Sequence, residues 1–314
     1  MKATVDVVIP VYKPTEKIMS LFLKLSSQTV LPGKVIIINT GKEYWDNFFK
    51  EYDVLGRYPF IELHHIEKEE FDHGATRNLG VSYSNADFVL LMTDDAIPDN
   101  DRLIEKLLNN FEDDKVGISY ARQIPHKNCR VIEKYTRKFN YPEERIIKGK
   151  DDLETLGIKT FFASNVCSMY RKSIFDYLGG FIDRTIFNED MIYARRMIEN
   201  EYLIVYEPSA VVRHSHNYSG VQQFKRNFDL GVSHADNPEI FADVKPEGEG
   251  IKLVKDTALY LTKHFMPHLV IKLVYHSGMK FMGYRFGKKY KSLPKGLVMK
   301  FTMNKEYFEK GVKK

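Results

Sequence analysis

Across the first 125 residues, short runs rich in β-branched side chains alternate with stretches of helical periodicity, and that alternation leaves few folds open. Val5–Val11 (VDVVIPV), Lys34–Thr40 (KVIIINT), Ile61–Glu67 (IELHHIE), Asp87–Thr93 (DFVLLMT) and Val116–Arg122 (VGISYAR) read as strands. Between them, Thr15–Gln28 sets Ile18, Leu21, Phe22 and Leu25 at helical spacing, and Gly74–Asn85 and Asp101–Phe111 also read as helices. Strands and helices at this pitch imply βαβ units, hence an α/β fold with a Rossmann-like, mainly parallel sheet covered on both faces. In such sheets ligands sit beyond the carboxyl ends of the strands. No GxGxxG and no Walker lysine motif follows any strand, which argues against a dinucleotide oxidoreductase and a P-loop NTPase.

The second half is more mixed. Ile186–Asn200 reads as a helix, and Tyr202–Pro208 and Ala210–His216 as two extended segments. From Ile251 onward the pattern is helical and basic, broken at Pro267, Gly278 and Pro294 into at least three pieces. Charge divides the same way. Residues Ile251–Lys314 hold fourteen Lys and one Arg against three acidic residues, a net +12, so the first 250 residues carry −7 of the overall +5. Such asymmetry implies chemistry in an acidic body and attraction of the tail to an anionic partner. The tail interleaves its lysines with Tyr, Phe, Met and Leu and carries no nucleic-acid motif, which points to an anionic membrane surface and away from nucleic acid. A dimerisation element or plain packing helices are the alternatives. Two cysteines make no disulfide framework, no run of 18 apolar residues spans a bilayer, and MKATVDVVIPVYKP reads as a strand, not as a signal peptide; a cytoplasmic setting is expected.

Three polar clusters carry the chemistry. Asp94 and Asp95 directly follow a buried strand, where two carboxylates call for a counter-charge such as Mg²⁺ or Mn²⁺; DDAIPDN is equally good turn chemistry. Strand alternation turns neighbours to opposite faces, so one of the pair meets a bound cation. Glu189 and Asp190 stand at a helix start, where the helix dipole favours carboxylates with or without a catalytic role. His214 and His216 lie on one side of an extended segment and can supply a metal ligand and a phosphate donor. Joined in one site, these groups would neutralise a leaving diphosphate and take a proton from an acceptor hydroxyl, which is single displacement with inversion at a sugar carbon.

The motifs VVIPVYKP, FDHGATRNLG, LLMTDDAIP, SYARQIP, SNVCSMYRKSIFDYLGGF, FNEDMIYARRM, YEPSAVVRHSHNYS and QQFKRNFDLGVSHA occur in that order between about Val5 and Ala235. In these the chain resembles the family 2 glycosyltransferases of the GT-A fold, and within them the rhamnosyltransferase-like group of bacterial cell-wall and O-antigen polysaccharide synthesis. The resemblance implies that Pro10, Val11 and Tyr12 line the base and ribose pocket and that Thr40 contacts the nucleoside, although INTGK lacks the acidic residue usual there. It puts Arg77 near the diphosphate, with His73 and Asn78 assisting, and places Thr93-Asp94-Asp95 on the family's DxD pattern. Asp95 then becomes a metal ligand and Asp94 a ribose or donor-sugar contact. Asp190 becomes the general base and Glu189 a group positioning the acceptor. His214 completes the metal or diphosphate site, with His216 a weaker candidate. Arg122, Gln123 and Asn165 line the donor-sugar and acceptor pocket.

The resemblance further implies an Mn²⁺- or Mg²⁺-dependent inverting enzyme, peripheral on the inner face of the cell membrane. Its donor would be dTDP-β-L-rhamnose, with a UDP-sugar as the alternative, and its acceptor a lipid-linked saccharide. A non-catalytic nucleotide-sugar or membrane scaffold is a reading from another class. The expected organisation is a catalytic domain over 1–250, with a nucleotide-sugar half to about 125 and an acceptor half beyond it. A basic helical region over 251–314 would serve the membrane interface or a homodimer.

Overall fold

The computed structural model describes residues 3–241 and 247–309. The chain divides into two compact units. The first comprises residues 1–126, 141–183 and 189–214, and the second residues 127–140, 184–188 and 215–314.

The first unit holds a nine-stranded mixed sheet. In chain order its strands are β1 (Val5–Tyr12), β2 (Val35–Thr40), β3 (Ile61–Ile66), β4 (Phe88–Met92), β5 (Ile97–Pro98), β6 (Val116–Ile124), β7 (Ile146–Lys148), β8 (Cys167–Arg171) and β9 (Leu203–Arg213). The spatial order is β3-β2-β1-β4-β8-β6-β9-β5, with β7 against β9. The block β3-β2-β1-β4 is parallel, as are β6 and β9, while β8 runs antiparallel between β4 and β6. Strands β2 and β4 are buried along their whole length, which accounts for their continuous apolar runs. Helix Glu16–Ser26 covers one face with Ile18, Leu21, Phe22 and Leu25, the four residues whose spacing marks it.

Where sequence pattern and structure differ, the cause is local. Tyr202–Pro208 and Ala210–His216 are one strand, β9, because a register shift against β6 between its Glu207 and Val211 pairings absorbs Pro208, which has no N–H for a ladder. Helix Glu189–Glu199 starts three residues later than its periodicity, since Asn188 holds a left-handed φ of 66° that a helix cannot contain. Strand β8, CSMYR, is buried over its first four residues, but its mix of Cys, Ser, Met, Tyr and Arg gives neither an alternation nor the apolar run that marks β2 and β4.

The second unit is helical, with main helices Val131–Asn140, Gly220–Asp236, Glu247–Lys263, His268–Lys288 and Lys295–Phe301. Ser219 and Gln222 form a capping box that starts the Gly220–Asp236 helix. That helix and His268–Lys288 cross at backbone contact. A Cβ on Gly283 or Gly287 would lie 2.1 Å from the carbonyl oxygen of Phe224 or Phe228, and one on Gly231 would lie 2.4 Å from that of Tyr284. Asp229, buried, accepts hydrogen bonds from Thr302 Oγ1 (2.6 Å), the Met303 amide (3.0 Å) and Asn304 Nδ2 (3.0 Å), which pins the end of the Lys295–Phe301 helix. Pro267 and Pro294 separate helices as their sequence positions predict, but Gly278 lies inside a continuous 21-residue helix. No helix among the described residues is long and apolar enough to cross a membrane.

The glycine crossing makes a direct test. Gly287→Val forces the two backbones apart and is expected to cost about 1–3 kcal/mol, read as a lower melting temperature by scanning calorimetry. Gly278→Ala, where an added methyl meets nothing within 4 Å, is expected to stabilise by roughly 0.5–1 kcal/mol in the same measurement.

Candidate active site

The parallel block places the carboxyl ends of β1, β2 and β4 side by side, and strand order reverses between β1 and β4. Tyr12 and Thr40 are register partners at the ends of β1 and β2, and Val11 pairs with Asn39 and Pro10 with Ile38. Tyr12 is exposed and meets Tyr44 edge to face at 5.5 Å, with the Lys13 ammonium over both rings, while Thr40 is buried. The edge of β1 thus presents an aromatic and cationic surface and that of β2 a closed one.

Beyond β4, Thr93 Oγ1 donates to Asp95 Oδ1 (3.1 Å) and Lys17 Nζ lies 3.5 Å from Asp95 Oδ2. Burial and then the charge of Asp95 push the Asp94 carboxyl up to about 7. The imidazole of His214 reaches the same carboxylate, with Nε2 3.4 Å from Asp95 Oδ1. On its other side His214 Nδ1 lies 2.9 Å from Gln123 Oε1, an acceptor, so the ring carries a proton on Nδ1. Asp95 and His214 offer an oxygen and a nitrogen chemically suited to a divalent ion such as Mn²⁺ or Mg²⁺.

Gln123 continues the chain of contacts. Its Nε2 donates to Ser164 Oγ (2.9 Å), and the next residue, Asn165, is the hub of a second cluster. Asn165 Nδ2 donates to Glu189 Oε1 (3.0 Å), its backbone amide to Asp190 Oδ2 (3.2 Å), and its Oδ1 accepts from Tyr170 (2.7 Å). Arg77 Nη1 lies 3.3 Å from Glu189 Oε1 and donates to the His73 carbonyl (2.8 Å), with both charged side chains buried. Burial alone would raise Glu189, but Arg77, His73 and the Asn165 amide together hold it below its ordinary value. Asp190 goes the other way. Burial, then the charge of Glu189, raise its carboxyl to about 7.

Of the residues singled out from sequence, Asp95, His214 and Gln123 meet in one cluster, and Arg77, Asn165, Glu189 and Asp190 in the adjoining one. Arg77 pairs with Glu189. Arg122 pairs with Glu143 at 2.8 Å. His216 belongs to the second unit, its ring stacked against Tyr218. Lys17 carries no sequence signal, being one of many surface-type lysines, and Ser164 and Tyr170, though inside a quoted motif, are not singled out by it: their partners Gln123 and Asn165 become visible only in the fold. The LGGF segment, Leu178–Phe181, follows helix Lys172–Tyr177 as a turn. Gly179 and Gly180 are both left-handed, and Asn78 clasps the Phe181 backbone, its Nδ2 donating to the carbonyl and its Oδ1 accepting from the amide, each at 2.9 Å.

Residues 6–179 match the family model for glycosyl transferase family 2. The chain belongs to that family. It is 36% identical over 306 residues to the O-antigen chain rhamnosyltransferase RfbN of Salmonella typhimurium, covering 97% of this chain and 96% of the relative. It is 38% identical over 305 residues to the O-antigen chain rhamnosyltransferase WbaN of Salmonella anatum, covering 96% and 94%. Among solved structures it resembles the mannosyltransferase PcManGT from Pyrobaculum calidifontis in complex with GDP-Man and Mn²⁺ (TM-score 0.55, 14% identity, 100% of this chain and 87% of that one). It also resembles S. aureus TarS 1–349 in complex with UDP-GlcNAc (TM-score 0.53, 14% identity, 92% and 91%). The fold is GT-A and the protein is a glycosyltransferase.

The buried pair gives a stability prediction. Arg77→Met leaves Glu189 without its counter-charge and is expected to destabilise the glycosyltransferase by about 3–5 kcal/mol in denaturant unfolding, whereas Arg77→Met with Glu189→Gln recovers much of that loss.

Proposed function

We propose that the protein is an inverting rhamnosyltransferase that moves L-rhamnose from dTDP-β-L-rhamnose to a lipid-linked saccharide in surface-polysaccharide synthesis. The observation that carries the mechanism is the division of labour between two adjacent carboxylates. Arg77 keeps Glu189 ionised, and Glu189 with burial keeps Asp190 basic enough to accept a proton near neutral pH. Asp190 is then the base that takes the proton of the acceptor hydroxyl as that oxygen attacks the anomeric carbon, and the nucleoside diphosphate departs from the opposite face. Glu189, fixed from two sides, positions the acceptor through Asn165. The sheet-bearing unit carries this chemistry.

Asp95 and His214 would hold the divalent ion. When bound, the ion offsets the negative charge that builds on the departing diphosphate. Gln123 fixes the His214 tautomer that leaves Nε2 available, and Lys17 brings a further positive charge to the same carboxylate. Tyr12 and Lys13 offer a face for the base and ribose. The rhamnose assignment is supported by two relatives of that activity over nearly the full chain. The basic tail supports a peripheral position on an anionic membrane, where exposed Phe265, Ile271, Val274 and Phe281 alternate with lysines.

Donor choice is tested by turnover with dTDP-rhamnose, UDP-glucose, UDP-galactose and GDP-mannose, each with Mn²⁺, Mg²⁺ or EDTA. Release of dTDP from dTDP-rhamnose alone, lost in EDTA, is the expected result; preference for a UDP-sugar overturns the rhamnose assignment, and full activity in EDTA overturns the role of Asp95 and His214. For the base, Asp190→Asn is expected to lower kcat by about 10²–10⁴-fold. In the unsubstituted enzyme kcat/KM should climb with pH through about 7 as Asp190 loses its proton, a limb that Asp190→Asn should erase.

A further inference from the structure

The second unit holds a half-open cavity of about 870 Å³ lined by helices Val131–Asn140, Gly220–Asp236, Glu247–Lys263 and His268–Lys288. Close-packed interiors leave voids scarcely larger than a water molecule, whereas volumes of roughly 300–1,000 Å³ belong to ligand pockets. Its walls are largely aliphatic, with Val131, Leu253, Val254, Leu269 and Leu273 among them. The polar lining is lopsided. Lys272, His276 and Lys280 face the cavity at successive four-residue steps of one helix, and Arg130 joins them. Burial and the neighbouring Lys272, Lys280 and Arg130 hold the His276 imidazole below its ordinary value, and no ion pair or hydrogen bond to a described residue engages Lys280. Glu133, the acidic residue among the described lining side chains, pairs with Arg137 Nε at 2.9 Å.

An apolar chamber with a cationic stripe along one wall is complementary to a long hydrocarbon that ends in a phosphate. We propose that this cavity binds the carrier lipid of the acceptor, its chain against the aliphatic walls and its phosphate on Lys280, Lys272 and His276. The proposal rests on the reading that the acceptor is lipid-linked, and it assigns the recognition of that lipid to the helical unit. Burial lowers the basicity of Lys280 against the opposing pull of Glu133, and a phosphate beside it would favour the charged ammonium.

Isothermal titration of the full-length protein with geranylgeranyl phosphate, geranylgeraniol, inorganic phosphate and dihexanoyl phosphatidylglycerol tests this. The expected result is one geranylgeranyl phosphate per chain, at least about tenfold tighter than the alcohol. Lys280→Met should remove that preference, and Leu269→Trp, which fills the chamber, should weaken binding at least tenfold. Should Leu269→Trp fail to fold, Val254→Trp fills the cavity from helix Glu247–Lys263 instead. Unchanged affinity in the filled variant, equal binding by phosphatidylglycerol, or full displacement by inorganic phosphate overturns the proposal. Donor hydrolysis by the same preparations separates the two readings: a protein that binds the lipid phosphate yet leaves dTDP-rhamnose intact counts against the rhamnose assignment and keeps the lipid site.

Discussion

The buried Arg77–Glu189 ion pair is the constraint around which the catalytic unit is built. Two charges out of water are tolerable only when the geometry around them is held, and most of the motif residues near them do the holding. Asp72 caps the helix that carries Arg77, accepting from the Gly74 and Ala75 amides. Gly74 is glycine because a Cβ there would sit 2.0 Å from the Ile182 carbonyl oxygen. Asn78, one position past Arg77, fixes the Phe181 backbone, and Arg196 donates to the Leu178 carbonyl at 2.8 Å, so the LGGF turn is clamped from two helices. What looks in sequence like a string of independent motifs is one mechanical assembly that keeps Glu189 against Arg77.

The sequence makes legible what depends on periodicity and on residue type. The four parallel strands, the helix after β1, the acidic pair after β4 and the carboxylates at the start of the Glu189–Glu199 helix all follow from local pattern. It hides what depends on partners. Strand β8 is invisible because its mixed side chains give neither alternation nor an apolar run, and with it goes the position of Asn165, which the resemblance picks out but whose role as the joint between Gln123, Glu189 and Asp190 needs the antiparallel insertion. The same holds for Arg77. A guanidinium in that motif reads as a phosphate ligand from sequence, and the carboxylate 3.3 Å away becomes visible only in the fold.

Charge asymmetry divides the chain at a different place from contact. Composition sets the basic tail apart from Ile251, yet the Gly220–Asp236 helix packs backbone to backbone on His268–Lys288 through Gly231, Gly283 and Gly287. Small residues at four-residue spacing allow that approach, and they are scattered enough in sequence to pass for ordinary glycines. The lysines of the tail are consequently displayed from a packed helical body. Those on one face of His268–Lys288 line the aliphatic cavity, and others remain at the surface.

The opposed shifts of Glu189 and Asp190 also set stability against function. Asp190 binds its proton more tightly in the folded chain than in the unfolded one, so its contribution to stability is full below the ordinary carboxylate range and is lost as pH rises from about 4 to about 7. Glu189 has the contrary sign: held below its ordinary value, it stabilises the fold above that range and loses this only as pH falls. In the proposed mechanism Asp190 must lose its proton near neutral pH, where its own burial opposes folding and where the ion pair beside it contributes most. Arg77 is in this sense tied to Asp190 through Glu189. Removing the guanidinium would unpair Glu189, let it neutralise, and so remove the neighbouring charge that keeps Asp190 basic.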